Sequence, residues 1–437
     1  MFAYTILSRS FFSNNKSRLK IIPLACVFLF CTNSIGQTDY AKRIMDSLCS
    51  DRYDGRGYVN QGDIRAADFI IRELENIGLS QFKNHTFEQT YSFNVNTFPT
   101  TMEVVLGNDT LIPGANYLVD PSSGTAQGNF DLVEINSENW QSIYNGRLNW
   151  KALKADQKIF AFNFTDINDK EKLKELNALA HEAMNYFPSI WVTRDKKMYS
   201  VGRSQKNYPL IQIDSAVYHT VEKVRLKINN KYIPEYQSKN VIGYIPGKKK
   251  KAYVAFSAHY DHLGRMGIDT YFSGANDNAG GVAMLLSLAN YYKKNPPPFS
   301  IVFCFFSGEE AGLLGSQYFV SHPFFKLNKV KFVLNIDIMG AADKGITVVN
   351  GTKHEDEFNR LVEINKEKNY LAEIKKRGPT ANSDHYFFSE SGVPAFFIYS
   401  MGSVTNYHDI YDTAENTPLH KFNEVQALII DFVKTLK

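Results

Sequence analysis

The sequence predicts an α/β protein: a doubly wound, mostly parallel sheet with helices on both faces, plus a smaller, mainly β inserted domain. Three observations carry this. After about Ser238, strand-like apolar runs alternate with helical ones: AYVAFSAH, AGGVAMLLSLANYY, SIVFCFFS, EEAGLLGSQYF and KFVLNIDIM follow in turn. Between roughly Val95 and Glu235 the pattern shifts to short alternating segments such as MEVVLG, FDLVEI, KIFAFNF and YPLIQI, broken by NDT, SSGT and NG, which read as strands and turns. Finally, His259, Glu309 and Asp337 each end an apolar run, and in such sheets the loops at the carboxyl ends of the strands converge.

The first residues have the composition of a leader. Residues 1–20 carry Arg9, Lys16, Arg18 and Lys20 and no acid, and Ile21–Cys31 is almost wholly apolar. That run is too short to span a bilayer, and the small Ser34 and Gly36 fit a signal-peptidase cut after Gly36. Residues 1–36 are therefore expected to be a signal peptide that exports the chain, to the periplasm or beyond the cell. The competing reading is a membrane anchor left in place. Lipidation of Cys26 or Cys31 has no small-residue box to support it.

Four of the 49 basic residues leave with the leader, so 45 then face 45 acidic ones. A nucleic-acid partner has no electrostatic support. Cys304 sits inside an apolar run and Cys49 is the only other thiol of the exported part, so no disulfide framework is expected. The 437 residues exceed what one core organises. Residues 37–94 and 236–437 are accordingly expected to form the larger domain and 95–235 the insert.

Helical spacing runs from about Asp39 to Gly78, with Ala66, Phe69, Ile70, Leu74 and Ile77 on one face and Gly78 as the stop. Lys248–Lys251 reads as a solvated hairpin turn between two strands, and Pro296–Pro298 ends a helix before a strand. VPAFFIYS adds an apolar strand, whose Phe396, Phe397 and Tyr399 are better explained by core packing than by a substrate pocket. Leu419–Lys437 closes the chain as a helix.

Seven metal-competent side chains recur along the second region: His259 and Asp261, Asp277, the pair Glu309 and Glu310, Asp337, and His408. Each has an ordinary explanation when taken alone. His259 and Asp261 suit a polar loop, although an imidazole on a metal commonly has its other nitrogen held by a carboxylate or carbonyl. Asp277 suits a helix N-cap, and Glu309 with Glu310 suit the positive end of a helix. Asp337 ends an apolar strand, where an unpaired carboxylate is costly to bury and a cation removes the cost. His262, His385 and His420 compete with His408. Jointly the ordinary explanations would all have to hold at the ends of consecutive strands, whereas a pair of divalent cations explains them together. Ser383-Asp384-His385 are neighbours in sequence, and the chain has no GxSxG elbow, which argues against a serine mechanism.

SAHYDHLG, GANDNAGGVAMLLSLA, GEEAGLLGSQYF, LNIDIMG and NYHDIYDT together resemble the motifs of the peptidase family M28, co-catalytic two-zinc peptidases comprising exported aminopeptidases and related carboxypeptidases. The resemblance covers about Ser238–Thr413 and extends weakly to DGRGYVNQGDIRAADFI. It implies a zinc-peptidase-like fold and two Zn2+ per chain. His259 and Asp337 would hold one, Glu310 and His408 the other, and Asp277 would bridge them. Glu309 would be the general base, Asp261 the partner of His259, and Tyr407 an oxyanion stabiliser. The 95–235 segment resembles the protease-associated inserts of many relatives. The function so implied is removal of N-terminal residues from peptides. Two alternatives remain: a single-zinc, glutaminyl cyclase-like enzyme forming N-terminal pyroglutamate, and a non-catalytic peptide-binding protein.

Overall fold

The computed structural model describes residues 38–141 and 157–436. The expected leader, with Cys26 and Cys31, lies outside the described residues. The chain begins with helix α1 (38–48) and, after an irregular stretch, α2 (Gly62–Ile77). The single helical run expected over this stretch is therefore two helices. Asp54, Gly55, Asn60 and Gln61 take positive φ between them, a conformation that no helix continues through. Ala66, Ile70 and Leu74 face the core from α2, and Gly78 at φ 81 closes it by donating its N–H to the Leu74 and Glu75 carbonyls.

Strand β1 (Glu88–Thr97) then leads into a smaller, β-rich unit. Its strands are β2 (Glu103–Leu106), β3 (Asp109–Thr110), β4 (Tyr117–Val119), β5 (Ala126–Asn136), β6 (Lys158–Asn163), β7 (Ser189–Thr193), β8 (Leu210–Asp214) and β9 (Lys223–Ile228), in the order β3-β2-β9-β5-β6-β7-β8-β4. A helix, α3 (Lys170–Ala183), lies among them where the alternating pattern suggested only strands and turns. Asp169 caps its first turn, and Leu176, Ala180 and Ala183 pack on Phe160, Phe162 and Trp191. That i, i+4, i+7 spacing, following a capping Asp, is the signal of a helix.

β10 (Lys231–Ile245) returns antiparallel along β1, from Thr97 opposite Lys231 to Glu88 opposite Val241. The remaining elements are β11 (Lys249–His259), the short pair β12 (Gly264–Arg265) and β13 (Tyr271–Phe272), α4 (Gly280–Lys294), β14 (Phe299–Phe306), α5 (Leu314–Ser321), β15 (Val330–Ile336), β16 (Gly345–Val349), α6 (Glu355–Lys368), β17 (Ile374–Lys376), α7 (His385–Glu390), β18 (Ala395–Met401) and α8 (Phe422–Thr435). The large sheet has the order β1-β10-β14-β11-β15-β18-β16-β17, and its central strands β14, β11, β15 and β18 are mutually parallel. Lys249–Lys251 belong to β11 and not to a hairpin turn, because β14 lies between β10 and β11 and pairs with both.

β14 is buried along its whole length. Ile301, Phe303 and Phe305 share a core with α2, α4 and α8, whereas Val302, Cys304 and Phe306 pack with Phe319 of α5 and Phe388 of α7. Helices thus cover both faces, and each fully buried side chain of this size contributes about 1.5–3 kcal/mol. Phe396 and Phe397 are core residues of the same sheet. Cys49 and Cys304 are buried free thiols. Among the described residues, no helix is long and apolar enough to cross a membrane. The smaller unit joins the larger one through a shared core, in which Leu263, Met266 and Phe272 pack with Phe98, Tyr117, Val119 and Tyr199.

Candidate metal centre

Because β11, β14 and β15 run parallel, the residues that follow their last rungs meet at one sheet edge. His259 ends β11 opposite Phe306, Glu309 and Glu310 follow β14, and Asp337 follows β15. The turn 275–279 brings Asp277 over this edge, and the 403–412 loop brings His408. His259 Nε2 lies 3.1 Å from Asp337 Oδ1 and 3.1 Å from Asp277 Oδ1. The other Asp277 oxygen lies 3.1 Å from His408 Nε2, which is 3.2 Å from Glu310 Oε2. The five residues inferred as metal ligands therefore form one chain of contacts, with Asp277 in the middle.

The donor atoms form overlapping clusters competent to hold cations: His259 with Asp277 and Asp337, His262 with Asp277 and Glu310, and His259 with Glu309 and Glu310, each within 4.8 Å. Asp277, Glu310 and Asp337 have almost no exposed side-chain surface. Three carboxylates packed this closely and dryly need positive charge beside them, and a nitrogen and oxygen donor set of this kind suits divalent zinc. The residues fit a two-metal centre on that ground.

The imidazoles show the same demand. Burial lowers the pKa of His259 and of His408, but the Asp337 and Glu309 charges carry His259 well above its ordinary value, and Glu310 with Asp277 carries His408 to about 11. Burial pushes Asp277 and Glu310 up, yet the imidazoles win, holding Asp277 well below the carboxylate range and Glu310 at about 2. Glu309 goes the other way. Burial, assisted by the Asp337 and Glu310 charges, lifts it well above the usual carboxylate value against the pull of His259. Two carboxyl groups adjacent in the chain are thus shifted in opposite directions.

Glu309 and Glu310 do not open a helix, as their sequence context suggested; α5 begins only at Leu314, which removes the helix-end explanation of their charge. Their backbone N–H groups instead donate to the two oxygens of Asp261, each at 3.3 Å. Tyr58 Oη donates to the same carboxylate at 2.5 Å. His259 Nδ1 meets the carbonyl of Asp261 at 3.1 Å, with the carboxylate farther off at 3.7 Å. Asp261 thus touches His259 chiefly through its backbone, while its side chain pins the Glu309–Glu310 turn. Nor does Asp277 cap α4: Ala279 holds the N-cap position, and the side chain that accepts a first-turn amide, the Gly281 N–H at 3.0 Å, is that of Asn278. The Asp277–Asn278 peptide is cis. A Cβ on Gly281 would collide with Asn278 Oδ1 and the Ile336 carbonyl, so this glycine lets the turn lie against the end of β15. Tyr407 stacks on the His408 ring at 3.9 Å and 14°, and burial with the nearby carboxylates raises its hydroxyl pKa.

Several contributors were not evident from sequence. His262 Nδ1 meets Glu310 Oε1 at 2.8 Å, inside the cluster and not merely near it. Ser383 Oγ donates to Asp337 Oδ2 at 2.7 Å and accepts from Asn335 Nδ2, which Ser257 supports through Asn335 Oδ1. Asp412 accepts the N–H groups of Asn276 and Asp277 at 2.7 and 3.0 Å. The fully buried Arg56 donates to the carbonyls of Tyr260, Ser273 and Gly274. Arg56, Ser257, His262, Asn335 and Asp412 do lie within the quoted motifs, which was the one available signal. His385 lies against Phe397 in the core, and His420 is exposed beside Asp343.

The chain is similar to known proteins in sequence and in fold. Residues 240–433 match peptidase family M28. A zinc aminopeptidase from Bacillus subtilis is similar in structure with a TM-score of 0.64 at 18% identity, over 90% of this chain and 94% of that one. An aminopeptidase from Aneurinibacillus sp. strain AM-1 gives 0.59 at 17% identity, over 91% and 93%. Likeness at this identity shows the fold. In sequence, a vacuolar membrane protease of Lodderomyces elongisporus is 38% identical over 121 residues, which is 27% of this chain and only 12% of that protein's length. With the family model matched over residues 240–433, its fold and its clustered metal-competent side chains, the chain has the zinc-peptidase fold of peptidase family M28 and a candidate two-metal site.

Proposed function

We propose that this protein is an exported two-zinc aminopeptidase, with residues 1–36 as its leader and 95–235 as an inserted protease-associated-like domain. Asp277 carries the reading: one carboxylate oxygen faces His259 and the other faces His408, each at 3.1 Å, as a residue shared by two cations requires. His259 and Asp337 would hold one zinc, and Glu310 and His408 the other. A bound zinc pair lowers the pKa of a water toward about 7 and polarises a carbonyl. Glu309, whose pKa is raised and whose backbone is fixed by Asp261, takes the proton of the attacking water and delivers it to the departing amine. The Tyr407 hydroxyl, carried by a ring stacked on that of His408, donates to the oxygen on which negative charge develops.

The direct test is Glu309→Gln. Zinc content and unfolding temperature are expected to match the wild type, while hydrolysis of aminoacyl anilides falls about 10²–10⁴-fold, the usual worth of a positioned acid–base group. A Gln variant at the wild-type rate rules out that role. Elemental analysis giving one zinc per chain, with turnover of N-terminal Gln peptides and none of anilides, would give the cyclase instead.

A further inference from the structure

We propose that the smaller β-rich unit is a built part of the metal centre, and that Lys196, on its β7–β8 connection, is a positioning residue for His408. This rests on the reading of His408 as a zinc ligand and adds to it a task for the insert. His408 sits in a left-handed backbone conformation, φ 53, which a non-glycine residue keeps only when its surroundings hold it there. The smaller unit grips three successive residues at this point. The N–H of Tyr199 donates to the carbonyl of His408 at 2.9 Å. The ammonium of Lys196 lies 2.6 Å from Asp409 Oδ2. Ile410 packs into the smaller unit's core, where a Cβ on Gly114 would strike it.

Asp409 passes the hold on to the loop. Its carboxylate accepts the N–H of Tyr411 at 2.9 Å and, at the limit of range, that of Tyr407, so the loop winds around it on both sides of His408. Lys196 also reaches the carbonyl of Thr405 at 3.4 Å. The ring of Tyr199 stacks at 4.6 Å on Phe272, at the end of the excursion that starts after Asp261. Both loops that deliver imidazoles are thereby tied to the same unit. Outer contacts that orient a ligand commonly change metal affinity about 10–100-fold when removed.

The experiment measures zinc release from the zinc-loaded, full-length chain into a chelating indicator, for the wild type, Lys196→Ala, Lys196→Arg and His408→Ala. Lys196 is half exposed, so its replacement leaves the core intact. In Lys196→Ala one of the two zincs is expected to bind about tenfold more weakly, with the other unchanged and the unfolding temperature in saturating zinc unmoved. Lys196→Arg, which restores a cation to Asp409, is expected to recover the lost affinity. Two wild-type affinities in Lys196→Ala overturn the inference. So does equal weakening of both sites with a lowered unfolding temperature, which a merely structural contact would give. If His408→Ala loses no zinc, the two-zinc reading itself falls; if it loses one while Lys196→Ala loses none, only the positioning role falls.

Discussion

His262 and Glu310 meet at 2.8 Å, imidazole Nδ1 against carboxylate Oε1. This contact occupies one oxygen of Glu310 and leaves the other 3.2 Å from His408 Nε2. An anionic carboxylate only accepts, so Nδ1 carries the proton, and the pair fixes which lone pairs face the metal. His262→Leu is expected to weaken zinc at this position about tenfold, whereas His262→Asn, with a donor near the place of Nδ1, retains most of the affinity. Competition titration with a chelating indicator distinguishes the two.

Ser383→Ala removes the hydroxyl that donates to Asp337. The expected outcome is a loss of affinity on the His259 and Asp337 side with the Glu310 side unaffected, read from the same titration. Because Asn335 also loses a partner in the dry interior, stability is expected to drop by about 1–3 kcal/mol, measurable by denaturant unfolding.

Tyr407→Phe keeps the ring stacked on His408 and deletes only the hydroxyl. With the hydroxyl acting on the developing oxyanion, kcat is expected to fall about 10²–10³-fold, while KM and zinc content hold. A change confined to KM would instead make Tyr407 a substrate-binding residue.

Chelation removes the charge that offsets Asp277, Glu310 and Asp337. The apo chain is expected to unfold at a lower temperature, and zinc at about a hundred times its dissociation constant restores about 2.7 kcal/mol per site. Calorimetry with and without zinc measures this directly.

In the smaller unit, His181 Nε2 lies 3.0 Å from Asp120 Oδ2. The Asp120 contact, aided by the Asn177 carbonyl, raises His181 despite burial; burial pushes Asp120 up, but His181 and Ser122 bring it below its ordinary value. A raised imidazole contributes fully below the unfolded value of 6.5 and loses its contribution as pH rises through the folded value; a lowered carboxyl contributes above 3.8 and loses its contribution as pH falls. The stability gap between wild type and His181→Gln should therefore be widest from about pH 4 to 6.5 and narrow on both sides. The pair is partly exposed, so the gap stays within about 1 kcal/mol. Urea unfolding across pH checks it.

The alternation of apolar runs with helices made the large sheet and its working edge legible, because parallel strands put every carboxyl end on one side. His259, Asp277, Glu310, Asp337 and His408 could be read for the same reason: each stands where a run ends or in a motif with a recognisable neighbourhood. Ser383, Tyr58 and Asn335 were not legible. Their side chains act through partners 46, 203 and 48 positions away, and nothing in the residues around them records such distant pairings. The start of α5 was misplaced for a local reason, since Gly312 and Leu313 take positive φ, a conformation that no right-handed helix continues through. Helix α3 was missed although its capping Asp169 and its spacing were present, because the flanking strands dominated the reading of that region.

Thr97 and Lys231 stand opposite each other in the β1–β10 ladder, so the backbone departs for the smaller unit and comes home through a single doorway. A tight turn closing that doorway would spare every rung of the eight-stranded sheet. It would also strip the smaller unit's cover from Leu263, Met266, Phe272 and Ile410. What looks in connectivity like a detachable annex is, in packing, a wall of the room it adjoins.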